Sequence, residues 1–369
     1  MPLQYRAAVL HAPQTPMSIE TVAAAALKPT DVLVRIRAAG LCHTDLEVIE
    51  GSLRYPLPIV LGHEAAGVVE QVGATARGVA VGDHVVLSWN PHCGHCFYCD
   101  RDAPILCEEY LGKGPQAVAF DGGSRTTLHD GRPLQQLMFL GSFGEYCIVS
   151  DQQAIPVPKE IPFDRACLIG CGVMTGVGAV IHTAKVEPGA TVAVIGCGGI
   201  GLSAVNGAAI AGAGRIIAVD MQKSKLELAR KFGATDVVNA KDTDPVAAVQ
   251  EITGGGAHYT FEAIGLKKTA EQAFQMLRRG GTATIIGMIP PGQMVAVHGM
   301  EFLWEKKLQG SMMGSNRFRV DMPRLVDFYL QGRLHLDDLI SRRIGLKDVN
   351  DAFKELERGE LARSVIVFN

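Results

Sequence analysis

The chain has 369 residues, of which 47% are hydrophobic and 20% are charged, and its formal net charge is −3. This length predicts about two domains, and the composition is that of a folded globular protein rather than a disordered or fibrous one. Because no run of Lys and Arg is present, the sequence lacks the electrostatic footprint of a nucleic-acid or membrane-surface binder.

The start of the chain, "MPLQYRAAVLHAPQTP", has no apolar stretch of signal-peptide length. No later segment reaches about 18 uninterrupted apolar residues. We therefore expect a cytosolic protein that does not enter a membrane. The nine cysteines stand at positions 42, 93, 96, 99, 107, 147, 167, 171 and 197. An odd number of thiols in a reducing compartment favours metal binding or catalysis over a disulfide framework.

The first 160 residues are predicted to be rich in strands. In "DVLVRIRAAG", residues 31–40, apolar residues alternate with Arg35 and Arg37, which is the period of a half-buried strand. Similar short runs follow, separated by Gly and Asp, without an alternation of strands and helices. Residues 111–142 are rich in Gly, Asp and Thr and lack a clear period, so they are predicted to form a long loop.

Four cysteines lie close together in this region: Cys93, Cys96, Cys99 and Cys107. Short gaps allow successive thiolates to turn toward one ion, and four thiolates suit a closed, structural Zn²⁺ site. An iron–sulfur cluster and free thiols are the alternatives. In bacterial ferredoxins the fourth cysteine follows after three residues and precedes a Pro, a pattern that this chain does not have.

From about residue 190 strands and helices alternate. "TVAVIG" and "RIIAVD" are predicted strands on either side of a small-residue helix, and three further helix–strand pairs follow, with "KKLQGSMMG" as a sixth strand. Alternation of this kind predicts right-handed crossovers and a parallel, doubly wound sheet of the α/β class. In the last 50 residues, two helical stretches and the strand "SVIVFN" leave this series, and we expect them to return to the first domain.

A dinucleotide fingerprint opens the alternating region. Gly196, Gly198 and Gly201 form G-x-G-x-x-G after the first strand, and Asp220 ends the next strand. Glycines here allow a tight turn and a close approach of pyrophosphate to the helix N-terminus, and the carboxylate would bind ribose hydroxyls and disfavour a 2′-phosphate. NAD is therefore predicted rather than NADP, with a ligand-free turn as the alternative. The predicted cofactor residues also include Gly199, Ile200 and Lys225, and Lys225 could equally be solvated.

A second group of potential metal ligands is dispersed along the chain. It consists of Cys42 in "AAGLCHTDL", His63 and Glu64 in "LGHEAAG", and Cys171 in "LIGCGVMTG". Each residue alone is more often a buried thiol or a hydrogen-bonded side chain than a ligand.

Taken together, these motifs resemble those of the zinc-dependent medium-chain alcohol dehydrogenase family over nearly the whole chain. The resemblance rests on "GLCHTDL", "GHEAAGVVEQVG", the four-cysteine segment, "GCGVMTG", "VIGCGGIG" and "ARSVIVF". It implies a GroES-like, β-rich catalytic domain formed by residues 1–172 and 314–369, and a Rossmann domain formed by residues 173–313 that binds NAD.

The resemblance also implies roles for individual residues. Cys42, His63 and Cys171 would hold a catalytic zinc with an open fourth position, so that each chain carries two zinc ions, and Glu64 would tune the charge there. Thr44 would take up the alcohol proton. His43 and Arg363 would contact the cofactor pyrophosphate, and Thr175 would lie beside the cofactor. Glu47 would either end the proton relay or face solvent. Trp89 would lie either in the substrate pocket or in the core.

The function implied is NAD-dependent hydride transfer between primary alcohols and aldehydes, with long-chain or aromatic alcohols as candidates. The alternative is an S-(hydroxymethyl)glutathione-type, thiol-dependent formaldehyde dehydrogenase. Residues 111–142 resemble a loop of that branch, and also one of some bacterial and actinobacterial alcohol dehydrogenases. A variant with a permanently bound nicotinamide and a non-enzymatic zinc scaffold are two further alternatives. The expected partners are a small-molecule substrate and further copies of the chain, in a homodimer or homotetramer joined near residues 297–315.

Overall fold

The structure is a computed structural model that describes residues 2–358 and 363–369. Met1 and residues 359–362, which include the end of one predicted helix and the start of "ARSVIVF", lie outside the described part. The chain divides into two compact units. The first comprises the chain up to Cys171 together with Arg317–Gly332 and Leu336–Asn369, and the second comprises Gly172–Asn316 and Arg333–His335.

The first unit is dominated by short strands. Its N-terminal part contains β1 (Gln4–Leu10), β2 (Ser18–Ala24), β3 (Asp31–Gly40), α1 (His43–Glu50), β4 (Ile59–Val60), β5 (Glu64–Val72), β6 (His84–Leu87), α2 (Glu108–Lys113), β7 (Thr126–Thr127), β8 (Pro133–Gln136), β9 (Tyr146–Ser150), β10 (Ala154–Pro156) and α3 (Phe163–Leu168). In β3 the predicted alternation is present: the apolar side chains are buried, while Arg35 and Arg37 are half-buried.

The second unit is the predicted α/β sheet. It contains α4 (Met174–Gly178), β11 (Thr191–Ile195), α5 (Gly199–Ile210), β12 (Arg215–Asp220), α6 (Lys223–Lys231), β13 (Asp236–Asn239), α7 (Pro245–Thr253), β14 (Ala257–Glu262), α8 (Lys267–Gln275), β15 (Leu277–Ile285) and β16 (Lys307–Gly310). The six strands pair in the order β13-β12-β11-β14-β15-β16, and every pairing is parallel. The doubly wound sheet is therefore confirmed, and its strand order reverses between β11 and β14, where such sheets bind their ligands.

Most of the last part of the chain belongs to the first unit. It forms α9 (Phe318–Leu330), β17 (Ile340–Ile344), α10 (Val349–Glu357) and β18 (Arg363–Val367). Strand β18 pairs with β3, which lies more than 300 positions earlier in the chain. This pairing joins the two ends of the chain in one sheet, in the order β10-β6-β5-β3-β18-β17, with β9 also paired to β3.

Residues 111–142 are not the long loop that was predicted. They supply β7 and β8, which complete a closed barrel in the order β1-β2-β7-β8-β4. These strands have two and four residues, which is too short for a periodic pattern to be visible in the sequence. The segment is also held by Arg125, whose guanidinium donates to the buried carboxylate of Asp31 at 2.7 Å.

The helical stretch Phe163–Thr183 is long and apolar enough to cross a bilayer by length and composition alone. Most of it is buried within the fold, as is usual for a core helix of a soluble protein. Two segments of it are π-helical, Ile169–Val173 and Ala179–Thr183.

Candidate active site

The four clustered cysteines converge. One Sγ atom from each of Cys93, Cys96, Cys99 and Cys107 lies within 4.8 Å of the others, and the backbone N–H of Cys93 donates to the Cys107 Sγ at 3.3 Å. Backbone N–H groups of Cys99 and Glu108 lower the pKa of the Cys96 thiol to about 6, whereas burial raises the pKa values of Cys93 and Cys99. This donor set fits a structural zinc ion.

The dispersed residues also converge, in the first unit. Ligand atoms of Cys42, His63, Glu64 and Cys171 lie within 4.8 Å of one another, and all four residues are buried. Cys42 is the N-cap of α1, the pair His63–Glu64 stands at the start of β5, and Cys171 lies in the π-helical turn after α3. A hydrogen bond from Cys171 lowers the pKa of Cys42 well below its usual range, against the opposing effect of burial.

The two ring nitrogens of His63 differ in their surroundings. Nδ1 lies 3.3 Å from a carboxylate oxygen of Asp45, whereas Nε2 is buried and has no hydrogen-bond partner among the described residues. With Nδ1 donating its proton to Asp45, Nε2 presents a lone pair, which is how a histidine is prepared to bind a metal. Together with two thiols, this orphaned nitrogen fits a zinc ion.

Asp45 was not among the predicted site residues. It is fully buried, and besides His63 it accepts the backbone N–H groups of Cys42 at 3.1 Å and Gly62 at 2.9 Å. A sequence signal was available, because Asp45 stands three residues after the N-cap Cys42, at the capping-box position of α1.

Glu64 and Arg363 form a buried ion pair beside this cluster, with Nη1 and Oε1 3.1 Å apart. Burial raises the pKa of Glu64 to about 7, against the opposing charge of Arg363. Arg363 also donates to the carbonyl oxygen of Leu41 at 3.1 Å. Its guanidinium therefore lies against the candidate zinc site, and its contact with a cofactor pyrophosphate stays a prediction.

Helix α1 carries three further predicted residues. The Oγ1 of Thr44 lies 3.8 Å from the Sγ of Cys42, while His43 is exposed. Glu47 does not simply face solvent, because its Oε2 is buried and has no hydrogen-bond partner among the described residues. Burial raises the pKa of Glu47, against the opposing charge of His43. Its role in a proton relay stays a prediction.

Aromatic rings extend away from His63 in a continuous series that we call the aromatic row. The Trp89 ring meets the imidazole edge-to-face at a centroid distance of 6.3 Å. Tyr110 follows at 5.8 Å, Phe139 at 5.6 Å and Phe120 at 5.7 Å. Trp89 is 7% exposed, and its indole N–H has no hydrogen-bond partner among the described residues. The row places buried aromatic rings next to the candidate zinc ligands.

The glycine fingerprint of the second unit forms a tight turn between β11 and α5. Gly196 has a φ of +93°, and a Cβ on Gly201 would lie 1.7 Å from the carbonyl oxygen of Gly196, so the helix packs on the turn only because residue 201 has no side chain. Gly198 is the N-cap of α5, and a Cβ there would have no heavy atom within 4 Å. Gly199 and Ile200, half-buried, begin the helix. This arrangement leaves room for an anion at the helix N-terminus.

Asp220 ends β12 beside this turn. Its carboxylate accepts the backbone N–H groups of Cys197 at 2.8 Å and of Gln222 at 2.9 Å. Lys225 is close enough that its charge acts on the pKa of the Cys197 thiol, which burial raises. A fixed carboxylate at this strand end and a free helix N-terminus fit a dinucleotide. Thr175 is buried on α4 of the same unit.

Comparison with known proteins gives two family matches. Residues 28–159 match the model of the alcohol dehydrogenase GroES-like domain, and residues 199–331 match that of the zinc-binding dehydrogenases. The class-3 alcohol dehydrogenase of Cereibacter sphaeroides is 38% identical to this chain, and the match covers 99% of this chain and 100% of that protein. The S-(hydroxymethyl)glutathione dehydrogenase of Synechocystis sp. is 38% identical, again over 99% of this chain and 100% of its own.

Among solved structures, the benzyl alcohol dehydrogenase of Acinetobacter calcoaceticus superimposes with a TM-score of 0.95. It is 32% identical, and the match covers 100% of both chains. The likeness therefore extends over both units.

Proposed function

Because this chain belongs to the zinc-dependent medium-chain alcohol dehydrogenase family, and is thus an oxidoreductase that uses zinc and NAD, we propose that it interconverts primary alcohols, long-chain or aromatic ones among them, with aldehydes. The observation that carries this proposal is the contact of Trp89 with His63 at the head of the aromatic row. The similarity to a benzyl alcohol dehydrogenase supports the same class of substrate.

When bound, zinc supplies Lewis acidity toward an alcohol or aldehyde oxygen, and NAD supplies the hydride acceptor. In our proposal Cys42, His63 and Cys171 bind the metal, and Asp45 orients His63 by accepting its Nδ1 proton. Thr44 holds the alcohol proton at its hydroxyl and passes it on. The Gly196–Gly201 turn and Asp220 bind the pyrophosphate and the adenosine ribose of NAD.

The aromatic row supplies the substrate pocket in this proposal. Aromatic rings pack favourably edge-to-face or offset on other rings, so a benzyl-type or long apolar alcohol would gain contacts that ethanol lacks. The rings also exclude water from the metal, which strengthens electrostatic effects on the reacting oxygen. The bulk of Trp89 beside His63 disfavours secondary alcohols, which carry a second carbon substituent at the reacting centre.

The alternative substrate, a thiol adduct of formaldehyde, is favoured by the names of several relatives. Glutathione carries two carboxylates and needs a cationic anchor. In residues 111–142 each Lys and Arg is already paired with a carboxylate: Lys113 with Glu109 at 2.8 Å, Arg125 with Asp31 at 2.7 Å, and Arg132 with Asp130 at 2.7 Å. Arg125 is buried with Asp31 and unavailable, whereas the pairs of Lys113 and Arg132 are partly or largely exposed and weak. The segment therefore offers no buried cationic anchor, and the assay decides between the two substrates.

An absorbance assay at the NADH wavelength decides between primary alcohols and a thiol adduct of formaldehyde as the substrate. We expect turnover of benzyl alcohol and long primary alcohols without added thiol, and kcat/KM for formaldehyde that does not rise when glutathione is present. Activity confined to formaldehyde plus glutathione would overturn the proposal in favour of the alternative. The variant Trp89→Ala should gain activity toward secondary alcohols relative to primary ones.

We also propose a cytosolic location, since none of the nine cysteines forms a disulfide bond and unpaired thiols persist in reducing compartments. A homo-oligomer, either a dimer or a tetramer, is proposed as well.

A further inference from the structure

Glu262, at the C-terminal end of β14, is a fully buried carboxylate that belongs to neither candidate metal site. Its Oε1 accepts three hydrogen bonds: from the backbone N–H of Ile264 at 2.9 Å, from that of Gly265 at 2.8 Å, and from the hydroxyl of Thr269 at 2.8 Å. Its Oε2 has no hydrogen-bond partner among the described residues. An unpaired buried oxygen costs free energy, so stability alone does not explain a carboxylate at this position.

The main chain of Glu262 holds a second segment. Its carbonyl oxygen accepts the N–H groups of Ile286 at 2.8 Å and Gly287 at 3.0 Å, which follow β15. A Cβ on Gly287 would lie 2.1 Å from the nitrogen of Gly265 and 2.6 Å from the Oε2 of Glu262. Glu262 therefore fixes the turns that follow two neighbouring strands, and these turns touch each other through their backbones.

The turn after β14 reaches the nucleotide fingerprint. The side chain of Ile264 packs on Gly196, since a Cβ on Gly196 would lie 2.5 Å from Ile264 Cγ1. Ile264 is nevertheless 48% exposed, so the rest of its side chain faces solvent beside the turn. Strands β11 and β14 are the two between which the strand order reverses, and a dinucleotide binds in the crevice at that point.

We propose that Glu262 is a positioning residue for NAD. Its carboxylate fixes the backbone of residues 264 and 265, so that Ile264 forms an apolar wall against which the cofactor packs next to the Gly196 turn. The inference rests on NAD binding in this crevice, as in the proposed function. Because the wall is ordered before the cofactor arrives, binding avoids the entropic cost of ordering it.

The test measures NADH binding directly, by the change in NADH fluorescence, on protein with its full zinc content. We expect Glu262→Ala to raise the Kd for NADH by about tenfold or more. In Glu262→Gln the amide oxygen can accept the same three hydrogen bonds, so its Kd should stay within about threefold of the unaltered value. Rescue by Gln distinguishes fixation of the turn from a requirement for the negative charge.

A matched control comes from the same strand. Thr260 is also fully buried on β14, and its hydroxyl donates to the carbonyl oxygen of Ala273 at 2.8 Å. Thr260→Val should lower the thermal midpoint and leave the Kd unchanged. If Glu262→Ala does not fold, Ile264→Ala removes the wall at a half-exposed position and should raise the Kd by about threefold.

Three results would overturn the inference. One is an unchanged Kd in Glu262→Ala, or in Ile264→Ala where the first variant is unfolded. Another is an equal loss of affinity in Thr260→Val, which would mean that general destabilisation weakens binding. The third is failure of the unaltered, zinc-loaded protein to bind NADH, which would overturn the proposed function as well, whereas the first two leave it standing.

Discussion

Cys167 and Cys171 lie on one continuous helical stretch, yet they have different surroundings. The Sγ of Cys171 belongs to the buried cluster with Cys42 and His63, whereas that of Cys167 donates to the carbonyl oxygen of Asp164 at 3.4 Å. Burial raises the pKa of Cys167 well above its usual range, so this thiol stays protonated and inert.

The pair provides a matched test of the metal site. Cys171→Ala should lower the zinc content from two ions per chain to one and abolish turnover, because a site with two protein ligands binds zinc weakly. Cys167→Ala, at an equally buried position, should retain both ions and most of the activity. Elemental analysis of freshly purified protein measures the content, and two ions in Cys171→Ala would contradict the ligand assignment.

Asp164 predicts a pH dependence. Burial alone would raise its pKa, but its pairs with Arg165 at 2.8 Å and Arg343 at 2.7 Å lower it overall. Since the folded pKa lies below the unfolded value of about 3.9, the pairs contribute fully above that value and their contribution is lost as the pH falls through the folded pKa.

In urea unfolding, Asp164→Asn should therefore be less stable than the unaltered chain by a constant amount between about pH 5 and 7, and the difference should shrink below about pH 4. A difference that grows on acidification would show that the pairs do not stabilise the fold. Arg343 lies on β17 and Arg165 on α3, so the readout reports on the return of the chain's end to the first unit.

Among individual residues, the sequence identifies those whose role follows from their spacing along the chain. The four cysteines and the glycine fingerprint are of that kind, and the structure brings each set together. Glu262 is different, because its carboxylate becomes informative only once it is known to be buried, and Asp45, although it stands at a capping-box position, becomes so only through its contact with His63. Their burial depends on tertiary packing, which no local pattern encodes.

Among the elements, residues 111–142 differ most from expectation. The buried pair of Arg125 with Asp31, in which the side chains are 4% and 3% exposed, fixes the segment to β3. Since removing one partner leaves the other charged and buried, Arg125→Ala should cost about 3–5 kcal/mol. Arg132 on the same segment pairs with Asp130 in solvent, and Arg132→Ala should cost no more than about 1 kcal/mol.

Urea unfolding measures both costs, and limited proteolysis locates the loosened region. Cleavage within residues 111–142 should accelerate in Arg125→Ala and not in Arg132→Ala. Equal effects of the two variants would mean that burial of the Arg125 pair is irrelevant to the segment.

Strands β11, β12 and β13 were predictable because each is rich in β-branched residues and is followed by a helix of typical length. Strands β7, β8 and β17 were not. They have two to five residues and owe their existence to a neighbouring strand rather than to their own pattern. Short strands of this kind are where sequence reasoning fails for physical reasons.

For the whole molecule, the second unit exposes an apolar surface near the sheet edge. Strand β16 has a neighbour on one side within the sheet. The segment between β15 and β16 contains six exposed apolar residues: Met288, Met294, Met300, Phe302, Leu303 and Trp304. Several exposed apolar residues next to an open strand edge are typical of an interface, and we propose that a second copy pairs there, near residues 297–315.

Sedimentation velocity tests this pairing. The unaltered protein should sediment as a dimer or larger, and Leu303→Asp, at a residue that is 77% exposed, should shift it toward the monomer by placing charge in the interface. Leu330→Asp is the control, since Leu330 is also exposed but lies on α9. A monomeric unaltered protein, or equal effects of the two variants, would remove the proposal.

The aromatic row has a consequence for engineering. Two of its rings, Phe120 and Phe139, belong to residues 111–142, while Trp89 and Tyr110 precede that segment. Replacing only residues 111–142 with the segment of a relative would exchange Phe120 and Phe139 and keep Trp89 and Tyr110. The new side chains would then not match the shapes of the rings that they contact. Substrate preference should therefore transfer between relatives only when residues 89–142 move as one cassette, four-cysteine cluster included.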